Sequence, residues 1–194
     1  MTNFSDTQPI PVIASLVQLR PAGRLLDLGC GDGRHAIHFA KHGFEVTAVD
    51  HDAGALDRLE EAAHIENVES RITLVHKDVT SFLREEERWD AIILSLFLHE
   101  VPMVIGNLLI KRAQQLTEPG GWNGFAVWLD EGDFAKRLPT HPTNRFLPTY
   151  DSMHTRYELW QKALGGVALA QGRPDPDSPL MFTGRIHCGL CQKL

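Results

Sequence analysis

Cysteine, long apolar runs and positive charge are all scarce in this sequence of 194 residues. Its three cysteines cannot form a framework of paired disulfides. No apolar run approaches the ~18 residues that a helix needs to span a bilayer. The N-terminus also lacks the basic start and apolar core of a signal peptide. These absences predict a cytoplasmic protein that does not associate with membranes.

The charge balance is acidic, with 25 Asp and Glu residues against 19 Lys and Arg and a net charge of −6. Binding to a nucleic-acid backbone is mostly electrostatic and favours a basic surface. We therefore expect no nucleic-acid partner. The length fits one domain with a sizeable core. We predict a single domain over residues 1–194, with the polar residues 1–9 frayed.

Metal-binding patterns are also missing. The ten histidines are scattered and form no H-E-x-x-H motif. Cys188 and Cys191 form one close pair, whereas a structural zinc site usually needs two such pairs or two cysteines with two histidines. Residues three apart on a strand face opposite sides of a sheet. We predict two ordinary thiols and no metal.

The most informative stretch is residues 25–33, which reads LLDLGCGDG. Its apolar start predicts a buried parallel strand. Three alternating glycines follow, and apolar residues then recur at helical spacing from Ala36 to Ala40. Glycines let a ligand lie close to the backbone because no Cβ intervenes. The free N–H groups at the start of the next helix point to the same place. This arrangement suits a nucleotide-like ligand.

The glycine spacing indicates which ligand class is favoured. A dinucleotide fingerprint is G-x-G-x-x-G, but Arg34 stands here where its third glycine should be. A P-loop is excluded because no G-K-[S/T] follows. With Asp27 two positions ahead of Gly29, the stretch reads D-x-G-x-G-x-G and resembles motif I of the class I S-adenosylmethionine (SAM) methyltransferases. An NAD site and a turn that binds nothing remain alternatives.

Two acids follow the next two predicted strands. Asp50 lies about 20 residues beyond the glycines, where an acid can accept hydrogen bonds from both ribose hydroxyls. The alternative role, capping the next helix, suits Asp52 at least as well. After strand 72–76 come Asp78 and Val79. The resemblance implies that Asp78 binds the adenine amino group and that Val79 packs on the ring, although Asp78 could instead cap a short helix.

Beyond the glycines, strand-like and helix-like segments alternate, which predicts a parallel sheet flanked by helices. The predicted elements are helix 12–17, strand 25–28, a helix through 36–40 that stops at 42–43, strand 45–50, helix 53–64, strand 72–76, helix 80–86, strand 89–95, helix 103–116, strand 125–129, helix 150–164 and a closing antiparallel pair, 167–170 and 180–188. The ending L-x-x-P-G-G at residues 116–121 is a second resemblance to the methyltransferases.

The resemblance covers residues 12–191 and is greatest to small, tellurite-resistance-type class I methyltransferases. It implies an α/β, doubly wound, mostly parallel sheet of seven strands in the order 3-2-1-4-5-7-6, with strand 7 antiparallel. It further implies SAM as cofactor, S-adenosylhomocysteine (SAH) as product and direct in-line methyl transfer. The mix of apolar and basic side chains in residues 131–150 predicts a small-molecule acceptor, and we expect a monomer or homodimer. The implied cofactor residues are Asp27, Gly29, Cys30, Gly31, Gly33, Asp50, His51, Asp78, Val79, Ser95 and Leu96. A SAM-fold module that binds without turnover remains an alternative.

The acceptor pocket is predicted over the ends of the fourth and fifth strands. Methyl transfer chiefly requires alignment, and a base is needed only if the acceptor arrives protonated. His99 is the candidate base, with a role as pocket wall as its alternative. The other predicted acceptor contacts are Phe97, Arg145, Phe146 and Tyr150. Residues 130–150 are predicted to form a lid, with Phe134, Arg137 and His141 among its side chains. Residues 95–98 read SLFL instead of the N-P-P-Y-like segment of enzymes that methylate nucleic-acid amino groups.

Overall fold

Seven strands form one sheet in the computed structural model, which describes residues 8–84, 86–132, 145–172 and 182–194. The strands are β1 Arg24–Leu28, β2 Glu45–Asp50, β3 Ile72–His76, β4 Trp89–Ser95, β5 Thr117–Gly132, β6 Gln161–Gly172 and β7 Phe182–Gln192. Their order in space is β3-β2-β1-β4-β5-β7-β6. Strands β1 to β5 pair in parallel, and β7 is antiparallel to both β5 and β6. The predicted fold class and strand order are confirmed.

Helices cover both faces of this sheet. They are α1 Pro11–Ala14, α2 Leu16–Leu19, α3 Arg34–Lys41, α4 Ala53–Ile65, α5 Met103–Leu116 and α6 Tyr150–Arg156, with 3₁₀ turns at Glu69–Arg71, Val79–Arg84 and Leu98–Glu100. One apolar cluster joins α1 to α4 to one face of the sheet, through side chains such as Phe39 and Leu59. A second cluster joins α5 and α6 to the other face, through Ile110 and Met153.

The central strands are apolar because both of their faces are covered. Leu25 packs in the first cluster and Leu26 in the second, and the same alternation continues along β4. These strands therefore do not alternate between buried and exposed residues, as expected for buried parallel strands. Cys188 and Cys191 likewise lie in different clusters, on opposite faces of the sheet. No helix among the described residues is long and apolar enough to cross a membrane.

The largest departure from the predicted elements follows α6. The predicted helix 150–164 ends at Arg156, and residues 161–164 belong to β6 instead. This strand pairs with β7 from Gln161 to Gly172, so backbone pairing overrides the helical pattern of the local sequence. The predicted helix 12–17 is divided at Ser15, whose hydroxyl donates to the Val12 carbonyl at 2.7 Å. The predicted frayed terminus falls mainly on residues 1–7, outside the described residues.

Phe146 is a core residue. It is 0% exposed and packs against Gly106 of α5, within the second cluster. Its position therefore gives it a packing role in place of the predicted contact with the acceptor. An aromatic residue in a polar segment looks like a binding group from sequence alone, because the glycine that admits its ring lies about 40 residues earlier.

Replacing Gly106 with alanine should destabilise the protein by about 1–3 kcal/mol, the usual cost of overpacking a core. The added Cβ would overlap the Phe146 ring, and this clash outweighs the gain in helix propensity. Urea unfolding measures the change. Gly166→Ala is the control, because a Cβ there meets no atom within 4 Å, and it should stay within about 0.5 kcal/mol of the parent protein. Equal stabilities of the two variants would contradict this account.

Candidate functional site

The carboxyl ends of β1, β2 and β4 meet at one edge of the sheet. Leu28 of β1 is in register with Val49 of β2 on one side and with Leu94 of β4 on the other. The residues that follow these three positions therefore come together: the glycine loop, Asp50 and Ser95. Open parallel sheets bind their ligands at this edge, where strand connections diverge to opposite faces.

The three loop glycines have positive φ angles of 64°, 53° and 81°, a region that favours glycine. A Cβ at Gly29 would lie 2.6 Å from the Phe97 ring, and one at Gly33 would overlap Leu59. A Cβ at Gly31 would meet no atom within 4 Å. Gly29 and Gly33 are therefore needed by the protein's own packing, whereas Gly31 presents bare backbone to open space. A ligand can approach the main chain there.

Asp50 ties the end of β2 to this loop. Its Oδ2 accepts a hydrogen bond from the Gly31 N–H at 2.8 Å, and its Oδ1 accepts one from the Asp52 N–H at 3.0 Å. The side chain of Asp52 caps α4 by accepting from the Gly54 N–H at 2.9 Å. Helix capping thus belongs to Asp52. Asp50 is only 7% exposed, and each of its carboxylate oxygens has a further lone pair for a ligand.

Asp27 is a strongly perturbed acid beneath the loop. It is 1% exposed, and this burial raises its pKa to about 7. The Arg34 guanidinium and a hydrogen bond from the Ala36 N–H act in the opposite direction. Its Oδ2 has no hydrogen-bond partner in the described part of the chain. A perturbed carboxyl at a ligand-binding edge is a candidate functional group.

The end of β4 contains a hydrogen bond and a strained residue. Ser95 Oγ lies 3.2 Å from Nε2 of the buried His35, in the first turn of α3. Leu96 has a φ of +58°, which costs a non-glycine residue about 1–2 kcal/mol. Its N–H donates to the Ala126 carbonyl at 2.8 Å, which holds this geometry. Strained backbone of this kind concentrates at functional sites.

Asp78 caps the short 3₁₀ turn Val79–Arg84, which is the role predicted for it as an alternative to binding adenine. Its Oδ1 accepts from the Thr80 N–H at 2.7 Å and from the Thr80 hydroxyl at 2.6 Å, and both bonds lower the pKa of this carboxyl. Both bonds go to the same oxygen, so capping is compatible with a ligand contact at Oδ2. Asp78 follows β3, which is adjacent to β2 in the sheet, and is itself followed by the buried Val79.

Cys30 and His51 complete the predicted cofactor set. Burial raises the pKa of the Cys30 thiol far above its usual value, so Cys30 is a neutral wall residue. The exposed His51 places Nδ1 3.3 Å from Asp50 Oδ1, and its carbonyl accepts a hydrogen bond from Nε2 of His76. The described part of the chain has no group of three or more His, Cys, Asp or Glu that could hold a metal ion.

The predicted acceptor residues lie around the turn after β4. Burial, and after it the charge of the Arg145 guanidinium, lower the pKa of the half-buried His99 to about 4, so His99 is neutral at pH 7. Arg145 forms a β-bridge with Pro102, which brings the start of segment 145–149 to this turn. Phe97 is buried against Gly29, and Tyr150 is exposed at the start of α6. The predicted lid residues Phe134, Arg137 and His141 lie outside the described residues.

Sequence reasoning missed two residues of this edge. His35 follows the glycine motif almost directly, and that position was its only signal. Glu100 lies in the turn after β4, where burial raises the pKa of its carboxyl. The charge of Asp50 also raises this pKa, whereas the charges of His51 and Arg145 lower it.

Comparison with known proteins provides the family. Residues 5–163 match the family described as Tellurite resistance protein TehB. The chain is 28% identical over 171 residues to "Hemagglutinin 1" of Eikenella corrodens, covering 84% of this chain and 54% of the relative. It is 29% identical over 121 residues to the "Probable S-adenosyl-L-methionine-dependent methyltransferase TehB" of Haemophilus influenzae (strain 10810). This match covers 60% of this chain and 40% of the relative. The chain thus spans about half the length, or less, of these relatives.

Two solved structures share the fold. The crystal structure of TehB from Haemophilus influenzae superposes with a TM-score of 0.79 at 19% identity, covering 98% of this chain and 64% of that one. The N-methyltransferase NodS from Bradyrhizobium japonicum WM9, in complex with SAH, superposes with a TM-score of 0.67 at 18% identity, covering 93% and 83%. At these identities the likeness concerns the fold alone.

Proposed function

Because this chain belongs to the TehB family of tellurite resistance proteins, we propose that it transfers a methyl group from SAM to a small-molecule acceptor. The observation that carries the proposal is the bare backbone at Gly31, flanked by the buried carboxyls of Asp50 and Asp27. A ligand with a ribose and an ammonium group matches this arrangement, since it offers hydroxyl donors to one carboxylate and a cation to the other.

The proposed contacts follow the edge of the sheet. Asp50 accepts hydrogen bonds from the two ribose hydroxyls while still holding the Gly31 N–H. Oδ2 of Asp78 accepts from the adenine amino group, and Val79 packs on the adenine ring. Asp27 receives the ammonium group of SAM. The N–H groups at the start of α3 face the carboxylate of SAM. The backbone of Leu96 lies close to the reacting carbon. The remaining contacts are with Gly29, Cys30, Gly33, His51 and Ser95.

The methyl group of SAM is already activated by its sulfonium, so the chain's task is to align the acceptor and exclude water. The acceptor's lone pair forms the new bond to carbon as the electrons of the carbon–sulfur bond pass to sulfur. We place the acceptor against Phe97, His99, Arg145 and Tyr150. With a pKa of about 4, His99 is a weak base, so its proposed role is a neutral wall that orients the acceptor and takes its hydrogen bond.

The Asp50→Ala variant should bind SAH at least about tenfold more weakly, because it loses two hydrogen bonds to the ribose and the anchor of the glycine loop. Asp52→Ala is the matched control. It removes the cap of α4 and costs about 1 kcal/mol of stability, but should change SAH affinity less than twofold. Calorimetric titration measures both affinities. Equal losses in the two variants would contradict the assignment of Asp50 to the ribose.

In the same preparations, transfer of labelled methyl from SAM to a panel of small thiols, carboxylates and metalloid oxyanions tests the reaction. The parent protein and Asp52→Ala should yield labelled product, and Asp50→Ala should need a higher SAM concentration to do so. If SAH binds normally and no acceptor in the panel is labelled, the methyltransferase proposal is wrong and the protein is a module that binds SAM without turnover.

Binding of SAH at about pH 6.5 should release a proton from Asp27. This carboxyl has a pKa of about 7 in the free protein, so it is mostly protonated at that pH. An ammonium group beside it favours the ionised form and lowers its pKa. Calorimetry in buffers of different ionisation enthalpy counts the proton, and the release should vanish in Asp27→Asn. The same buffer dependence in both proteins would show that the ligand's cation is not at Asp27.

A further inference from the structure

A cavity of about 180 Å³ lies on the flank of the sheet, between α6 and strands β5, β6 and β7. It lies beside the carboxyl-edge site, and Tyr150 at the start of α6 is the residue that the two have in common. Its lining includes Phe125 of β5 and Gly189 of β7, which pair with each other. The next residue of β5, Ala126, pairs with Ser95 at the end of β4. The glycine loop follows β1, which is two strands away from β5 in the sheet. None of the proposed cofactor contacts lines this cavity, and of the proposed acceptor contacts only Tyr150 does.

Aromatic rings form its walls. The rings of Phe125 and Tyr157 stack with centroids 5.1 Å apart and planes 18° apart. The His187 ring meets Phe125 edge-on at 5.1 Å and lies under Tyr150 at 4.6 Å. Such faces favour an aromatic guest, because offset and edge-to-face ring contacts add to the burial energy. A cavity of about 150 Å³ is known to admit benzene, so this one has room for a single ring.

The polar groups of the cavity are basic. Among the described residues its lining includes Lys162, His154 and His187 but no Asp or Glu, in a chain whose net charge is −6. Lys162 makes no ion pair with a described residue. An ammonium at the mouth of an apolar cavity, with no carboxylate of a described residue in the lining, favours an anionic group on the guest.

His187 supplies the observation that points to a ligand. It is 6% exposed, and its Nδ1 is buried without a hydrogen-bond partner in the described part of the chain. A buried polar atom that lacks a partner costs about 1–3 kcal/mol. Native structures rarely leave such an atom unpaired. Neighbouring atoms cover Nδ1, so the His187 ring must turn to present its N–H to the cavity. A guest that accepts a hydrogen bond from the turned ring would remove the cost.

We propose that this cavity binds a small aromatic carboxylate. The ring of the guest packs among Phe125, Tyr150 and Tyr157, and its carboxylate accepts hydrogen bonds from the Nδ1–H of His187 and the ammonium of Lys162. The site lies under α6, which directly follows segment 145–149 beside His99. Occupancy would therefore stabilise α6 and the start of that segment against the sheet.

Benzoate is the probe, titrated into the isotope-labelled full chain at pH 7 and followed by NMR. Saturable shifts should appear at the amides of Lys162, Gly165 and Gly189. Benzamide has the ring without the charge, and cyclohexanecarboxylate has the charge without the aromatic ring. Both should bind several-fold more weakly than benzoate. Shifts confined to the glycine loop, or equal affinities for the three compounds, would overturn the proposal.

Two variants test the polar contacts. Lys162→Met should weaken benzoate about tenfold, whereas Lys111→Met on the exposed side of α5 should not change its affinity. His187→Phe keeps a ring beside Phe125 but removes the Nδ1–H, and it should also weaken benzoate. SAH affinity should be unchanged in all three variants, so failure here is distinguishable from failure of the methyltransferase proposal. If Lys162→Met binds benzoate as tightly as Lys111→Met does, the proposal is wrong.

Discussion

The hydrogen bond from the Gly31 N–H to the buried carboxylate of Asp50 joins the end of β2 to the glycine loop. The same strand end holds the loop twice more, because the Val49 carbonyl accepts from the N–H groups of Gly29 and Cys30 at 2.8 and 3.1 Å. These bonds hold three consecutive residues, Gly29 to Gly31, whose two glycines have left-handed φ angles. The bare backbone at Gly31, the direction of α3 and the burial of Asp27 all depend on them.

Much of this edge could be predicted from sequence because it depends on local patterns. The apolar runs of β1 and β4 identify buried parallel strands, and strict alternation with helices limits the topology. The different roles of Asp50, at the end of a strand, and Asp52, at the start of a helix, could also be predicted. One residue of the pair begins a helix and the other ends a strand, and their side-chain partners follow from those positions.

The remaining features depend on contacts between distant segments. The helical pattern of residues 161–164 is overridden by pairing with β7. Phe146 occupies space that Gly106 leaves, and His35 meets Ser95 about 60 residues later in the chain. Each case needs the positions of two separate elements, which periodicity and spacing do not supply. The unpartnered Nδ1 of His187 is of the same kind, because burial depends on everything packed around it.

The central claim is that the ligand binds at the glycine loop, and an NMR titration of the labelled protein with SAH tests it most directly. The largest shifts should fall on the amides of Gly31, His51 and Leu96, at the carboxyl ends of β1, β2 and β4. NAD should leave them unchanged. If SAH shifts no amide along this edge, or if NAD produces the same pattern, the proposed site and its ligand are both wrong.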